Sequence, residues 1–222
     1  MKNIGIVGSG NMGRTIGLNW ASKGHNIFFG HRRAEILETI KNIAENINLT
    51  IQTGTDREAV VNSDIILYCV RNTMPSEIAE KELWKGKIVI DLNNDWDNLD
   101  ASQSLAIKYQ QDIPEALIVK AFNAHAQELF EAEADDLRKA NTGSFYCGND
   151  ASANQIISEL IEDIGLTPVY SGSLTNAGIL ENMGHIIKFL MRDKGFNISY
   201  ALAEFKGSNE FKYGGRVAST IK

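Results

Sequence analysis

The chain has 222 residues, 43% of them hydrophobic and 23% charged, with 28 acidic against 22 basic side chains and a net charge of -6. That length buries a sizeable core. The acidic balance argues against a nucleic-acid or membrane-surface binder, either of which wants a basic face. No apolar run reaches the roughly 18 residues that a membrane span needs. Cys69 and Cys147 sit in separate strand-like runs, outside any CxxC pair or ligand cluster, and read as reduced core residues. A first strand starting at Lys2 or Asn3 leaves no room for a signal peptide, so the expected location is cytoplasmic, with no membrane and no nucleic acid as partner.

In chain order, apolar β-branched runs predict strands at Asn3–Val7, Asn26–Phe29, Leu49–Gln52, Asp64–Val70, Lys87–Asp91 and Leu117–Lys120. Their near-continuous apolar character is that of parallel strands covered on both faces. Between them, helices are expected at Asn11–Lys23, Ala34–Asn46, Asp56–Asn62, Pro75–Leu83 and Leu99–Gln110. In the second of these, Ile36, Ile40, Ile43 and Ile47 recur on one face. A further unit follows, with a strand at Ser144–Cys147, a helix at Ala151–Ile164 and a strand at Leu166–Tyr170. Leu174–Met191 reads as a long helix apolar on more than one side, hence deeply buried or at a subunit contact. Gly207–Lys222 has no period and reads as a loose or partner-dependent tail. The alternation predicts an α/β, doubly wound, mainly parallel sheet. No linker interrupts it, so residues 1–222 are expected to be one nucleotide-binding domain, with 174–222 as helical extension and tail.

Gly8-Ser9-Gly10-Asn11-Met12-Gly13 directly follows the first strand and opens the first helix. In that context a GxGxxG is a dinucleotide loop. Gly8 makes the tight turn, Gly10 lets backbone approach a pyrophosphate, and Gly13 lets helix and strand pack closely. The helix N-terminus then offers N–H groups to the phosphates. An NAD site places Asp or Glu about 20 residues on, at the end of the second strand. Here Gly30 and His31 stand there, followed by Arg32 and Arg33. A carboxylate that would repel a 2′-phosphate is missing, and guanidinium forks that grip one are present, which points to NADP(H).

Other strand ends face the same edge. Val70 and Arg71, after the fourth strand, are candidates for the nicotinamide ribose or adjoining phosphate, or for structural use. Asn93, after the fifth, and Asn123 and His125, after the sixth, are candidate substrate-binding residues. His25 and His185 read as structural. There is no HExxH, GxSxG or paired-cysteine spacing, so neither a metal site nor acyl-transfer chemistry is expected, and no catalytic acid–base pair is assigned.

Gly10-Asn11-Met12-Gly13-Arg14, Ala21-Ser22-Lys23-Gly24-His25 and Gly30-His31-Arg32-Arg33 together resemble the NADP-dependent oxidoreductases that reduce the deazaflavin coenzyme F420. The likeness continues through Lys120-Ala121-Phe122-Asn123, Gly148-Asn149-Asp150, Ser171-Gly172-Ser173-Leu174 and Leu180-Glu181, as far as about Phe205. The cytosolic domain of the six-transmembrane metalloreductases is similar over the same region. The resemblance implies a Rossmann-type domain with a small C-terminal helical part, often a homodimer, and NADPH with a flat acceptor ring, a deazaflavin or flavin, stacked on its nicotinamide. It implies that Ser9, Asn11 and Met12 line the phosphate loop. Arg32 and Arg33 would take the 2′-phosphate, with His31 where the family commonly has Ser. Where members commonly carry an Ile-Pro-Trp-like run this chain has Val70-Arg71-Asn72, and Asp95, Asp97 and Asp100 follow the fifth strand. Two further readings compete: a reductase of a small imine or keto acid, for which Lys188 is the candidate residue, and a non-enzymatic NADPH-binding redox sensor.

Overall fold

The structure is a computed structural model, and it describes residues 1–194 and 198–203. Eight strands form one sheet: β1 (Asn3–Val7), β2 (Asn26–Gly30), β3 (Gln52–Gly54), β4 (Ile65–Tyr68), β5 (Ile88–Asp91), β6 (Leu117–Ala121), β7 (Gly143–Gly148) and β8 (Thr167–Tyr170). Their order is β3-β2-β1-β4-β5-β6-β7-β8, parallel throughout except where β6 meets β7. The chain starts in the middle and winds outward both ways, so the order reverses between β1 and β4, where doubly wound sheets hold ligands.

The helices are α1 (Asn11–Ser22), α2 (Ala34–Asn46), α3 (Asp56–Val61), α4 (Pro75–Ile78), α5 (Leu105–Asp112), α6 (Ala134–Lys139), α7 (Ala151–Ile164) and α8 (Ala177–Lys194). Strand residues alternate between two cores. Ile65 and Leu67 of β4 face one that includes Ile16 and Trp20 of α1 and Leu160 of α7; Ile66 and Tyr68 face the other, with Trp84, Ala106 and Tyr109. Both faces being covered accounts for the unbroken apolar runs of the central strands. Trp20 ties α1 to α7 by donating its indole N–H to the Leu160 carbonyl at 2.9 Å.

Several predicted elements shift. The first strand, second helix and seventh helix have the expected bounds. In α2, however, Ile40 and Ala44 are the buried residues and Ile47, past the helix end, is half exposed. The third strand lies later than Leu49–Gln52, because β2 pairs Phe28 with Gln52 and leaves Leu49 and Ile51 as a connector packed on the core. Pro75–Leu83 is not one helix. Ala79 is extended and its carbonyl accepts the indole N–H of buried Trp84, so a separate 3₁₀ turn follows at Lys81–Trp84. The helix expected from Leu99 starts at Leu105, where Ser104 caps the Ile107 N–H; Leu99 is 67% exposed. The 3₁₀ turn Gln127–Glu131 and α6 were not foreseen. The predicted tail Gly207–Lys222 lies outside the described residues.

The long apolar helix splits its faces. Leu180, Gly184 and Ile187 of α8 are buried, while Ile179, Ile186 and Phe189 are about half exposed. Two glycines set how closely it lies. A Cβ on Gly178 would collide with the Ala101 carbonyl, and one on Gly184 would meet the Asn94 side chain and Asn123 carbonyl at 2.8–3.0 Å. Among the described residues, no helix is long and apolar enough to cross a membrane.

Alanine stabilises an ordinary helix interior relative to glycine by roughly 1 kcal/mol. Gly178→Ala is expected to do the opposite here, lowering stability by about 1–3 kcal/mol because its methyl meets backbone. Thermal unfolding checks this; an unchanged or raised midpoint would mean that the 95–104 segment yields without cost.

Candidate active site

The glycine loop is built from below. Gly8 has φ +85°, and a Cβ there would press on Val70 at 2.7 Å. Its N–H donates to the Asp56 carboxylate at 2.8 Å, which anchors the turn to the start of α3. Burial raises the Asp56 pKa, and the Gly8 N–H and the charges of His31 and Arg32 pull it back. Gly13 lies against Ile6, so α1 starts close to β1. Gly10 is exposed, nothing stands within 4 Å of where its Cβ would be, and no side chain caps the first turn of α1. Open backbone N–H groups at a helix start suit a pyrophosphate.

Ser9 is a correction. It is fully buried, and its hydroxyl donates to the carbonyls of Gly30, at 2.8 Å, and Ile6. Its side chain ties the loop to β2 and does not reach the surface. At the end of β2, Gly30 is hemmed in by the backbone of Thr55 and Asp56, so no carboxylate side chain fits there. His31 Nδ1 accepts the Arg33 N–H at 3.0 Å. Arg32 and Arg33 are exposed; Arg33 reaches Glu35 only at 3.8 Å, and among the described residues Arg32 has no salt bridge.

Beside the loop opens a cleft of about 550 Å³ along the carboxyl edge of β1, β4, β5 and β6. Of the predicted residues, Gly8, Gly10, Asn11, Met12, Gly13, Arg71, Asn93, Asn123 and His125 line it. Ser9, Val70 and the His31–Arg33 run do not; Val70 instead packs beneath Gly8. Asn93 and Asn123 are largely committed to structure. Asn93 donates to the Tyr68 carbonyl, and Asn123 donates to Asn94 Oδ1 and the Leu180 carbonyl. The buried Oδ1 of Asn123 has no partner among the described residues. His125 is buried, edge-on to Phe130 and 3.2 Å from Ser199 Oγ. His25 and His185 are structural: the first meets Asp163 and the Lys2 N–H, the second the Asp95 carbonyl.

The far wall comes from α8 and the loop after β5, through Trp96, Gly184, Ile187, Lys188 and Met191. A buried ion cluster fixes it in place. Lys120 of β6 is fully buried, and its ammonium donates to Asp91 at 2.8 Å, to Glu181 of α8 at 3.0 Å and to the Asn93 carbonyl. Glu181 also accepts the Asp95 and Leu105 N–H groups, and Asp91 that of Asn93. Burial pushes the Asp91 carboxyl above its ordinary range; Lys120 pulls it down and Glu181 pushes it up. The sequence reading missed this cluster. A lysine inside a buried strand and a glutamate on an apolar helix were the signals available for it.

Residues 3–95 match the family model described as NADP oxidoreductase, coenzyme F420-dependent. The chain resembles this family over its nucleotide-binding part. It is also 28% identical over 181 residues to the rat metalloreductase STEAP3, covering 80% of this chain but 35% of that protein. The chain therefore spans about a third of the length of that relative. The fold is that of a candidate F420-dependent NADP-reductase from Arthrobacter sp. FB24 (TM-score 0.76, 22% identity, 92% of this chain and 100% of that one). It is also that of an Aspergillus terreus reductive aminase in complex with NADPH and ethyl-5-oxohexanoate (TM-score 0.61, 15% identity, 88% of this chain and 63% of that one).

Two outcomes follow from the buried groups. Lys120→Met leaves two carboxylates without their cation and is expected to cost about 3–5 kcal/mol in urea unfolding. Adding Asp91→Asn and Glu181→Gln should then cost less than the single change. Burial also pushes the His125 pKa down to about 4. The folded state favours the neutral ring, so this contribution is complete above the unfolded value near 6.5 and lost as pH falls toward 4. It amounts to about 3 kcal/mol. Urea midpoints measured between pH 7 and 4 should fall less steeply in His125→Asn than in the parent chain.

Proposed function

We propose that this protein is an NADPH-dependent oxidoreductase that passes hydride between NADP(H) and a flat, flavin-like acceptor such as a deazaflavin. The observation that carries the nucleotide half is the end of β2. Gly30 stands where no carboxylate fits, and two exposed arginines follow it. The residues present fit the nucleotide: an open glycine turn for the pyrophosphate and guanidinium forks for the 2′-phosphate. The family match over residues 3–95 supports the same reading.

Bound NADPH would supply the hydride. The chain's own residues bind and align. Gly8–Gly13 hold the phosphates at the start of α1, Arg32 and Arg33 grip the 2′-phosphate, and Arg71 stands at the near end of the cleft. The α8 wall, fixed by Lys120 and by the Asn94–Asn123 pair, holds the acceptor and keeps water out. Transfer between two rings depends on alignment more than on proton movement. That agrees with a cleft lined, among the described residues, by no carboxylate and by one histidine, which is buried and kept neutral.

One observation favours a second reading, reduction of a small imine or keto acid. Lys188 of α8 lines the cleft instead of lying buried in the helix core. Steady turnover of such a substrate with NADPH, abolished in Lys188→Met, would establish it over the first.

Arg32→Ala with Arg33→Ala should raise the NADPH dissociation constant about 10–100-fold and leave NADH binding unchanged. Calorimetric titration of both nucleotides checks this. Equal affinity of the parent chain for NADH and NADPH would sink the assignment.

A further inference from the structure

At the β5–β6 end of the cleft most polar side chains are turned to the protein itself. Asn93, Asn94 and Asn123 donate to the carbonyls of Tyr68, Asn123 and Leu180 respectively, and Gln127 donates to Glu131. His125 is different. It follows β6, lines the cleft and is only 8% exposed. Its ring stands edge-on to Phe130 with 5.8 Å between centroids. Among the described residues its hydrogen-bond partner is Ser199 Oγ, 3.2 Å from Nδ1, and Nε2 has none. A buried ring nitrogen in that state is unfavourable until a ligand completes it.

Ser199 is held in place from two sides. In segment 198–203 the Tyr200 carbonyl accepts the Gly143 N–H at 2.9 Å, and the Leu202 N–H donates to the Asn141 carbonyl at 2.9 Å. The segment thus pairs with the start of β7, where a Cβ on Gly143 would press on Leu202 at 2.9 Å. The Tyr200 hydroxyl donates to the Met183 carbonyl of α8 at 3.0 Å, and its ring packs edge-on to Phe145. Among the described residues the Ser199 hydroxyl has no partner besides His125. Donating its hydrogen to Nδ1 satisfies it and leaves the ring proton on Nε2, whereas the other tautomer leaves that hydrogen without an acceptor. Burial keeps the ring uncharged, so what it offers the cleft is an N–H and not a charge.

The course of the nucleotide brings its nicotinamide to this point. With the 2′-phosphate at the end of β2 and the pyrophosphate at the start of α1, the rest of the molecule runs along the carboxyl edge toward β6. The strands between follow in the order β2-β1-β4-β5-β6, four spacings or roughly 19 Å. We infer that His125 orients the nicotinamide by donating its Nε2–H to the carboxamide oxygen, and that Ser199 is the positioning residue that sets this tautomer. The inference rests on the proposed function and moves His125 from the second substrate to the cofactor. Neither residue transfers a proton. A donor fixed on the carboxamide oxygen decides which face of the ring is turned to the cleft, and so from which face hydride leaves.

Two measurements on the intact protein test this. Long-range proton–nitrogen NMR of ring-labelled histidines, with His125 assigned from the signal lost in His125→Gln, should show its proton on Nε2 in the parent chain. In Ser199→Ala the same ring should populate both tautomers. Calorimetric titration then compares NADP+ with two analogues. In the thionicotinamide analogue sulfur, a poor acceptor, replaces the carboxamide oxygen; the 3-acetylpyridine analogue keeps the oxygen and lacks the amide N–H groups. The thionicotinamide analogue should bind about three- to tenfold more weakly than NADP+, and the acetylpyridine analogue about equally. His125→Leu should level all three, while His125→Gln, whose amide N–H reaches the place of Nε2, retains the difference. A parent-chain proton on Nδ1, equal binding of the thionicotinamide analogue, or a difference that survives His125→Leu would each overturn the inference. The parent-chain measurements decide it even where a variant does not fold. Failure of NADP+ itself to bind would overturn the proposed function, whereas NADP+ bound without discrimination overturns the role of His125 alone.

Discussion

The arrangement of the cleft depends on one buried ammonium. Lys120 has no access to solvent, and its three N–H bonds go to Asp91 at the end of β5, the Asn93 carbonyl beyond it and Glu181 on α8. A charge in that position is tolerated only because its partners are complete. Glu181 has the same dual role, since its second set of acceptances comes from the backbone of Asp95 and Leu105. One cluster thus sets three things together: where β5 stops, how the loop to α5 runs, and where α8 lies over the sheet edge.

Close backbone approach does the rest. At the nucleotide end, Gly8 and Gly13 bring β1, β4 and α1 together, and Asp56 holds the Gly8 N–H from beneath. At the opposite end of the cleft, Gly178 and Gly184 let α8 settle on the 95–104 loop and on the Asn94–Asn123 pair. The two ends are built differently, and this matters for function. The glycine loop offers backbone N–H groups that suit any dinucleotide, whereas the α8 wall offers particular side chains. The wall carries Trp96 and Lys188, and the end of β2 carries the two arginines after Gly30. The same scaffold can serve different acceptors by changing only one wall.

The fold and the glycine turn were legible because they rest on local patterns. The apolar runs of β1 and β4, the helical period of α7 and the GxGxxG after the first strand each act within a few residues. Errors arose where a distant partner overrode local preference. Leu99–Ser104 is kept out of helix by its ties to α8 and by the Ser104 cap, and the Pro75 helix is cut short because Trp84 claims the Ala79 carbonyl. Ser9 was misread for the same reason. Its position in the motif fixes the residue, and the Gly30 carbonyl across the sheet fixes where its hydroxyl points.

The sequence by itself determined the doubly wound sheet, the dinucleotide loop and the absence of a carboxylate before Arg32, since these follow from residue type and spacing along the chain. Only the tertiary structure decided the α8 end of the cleft. Asp91, Lys120 and Glu181 are separated by as many as 90 positions, and Trp96 and Lys188 by 92. No spacing rule joins residues so far apart. They meet because parallel strands end at one edge and α8 is drawn down onto it, so that distant side chains share one cleft.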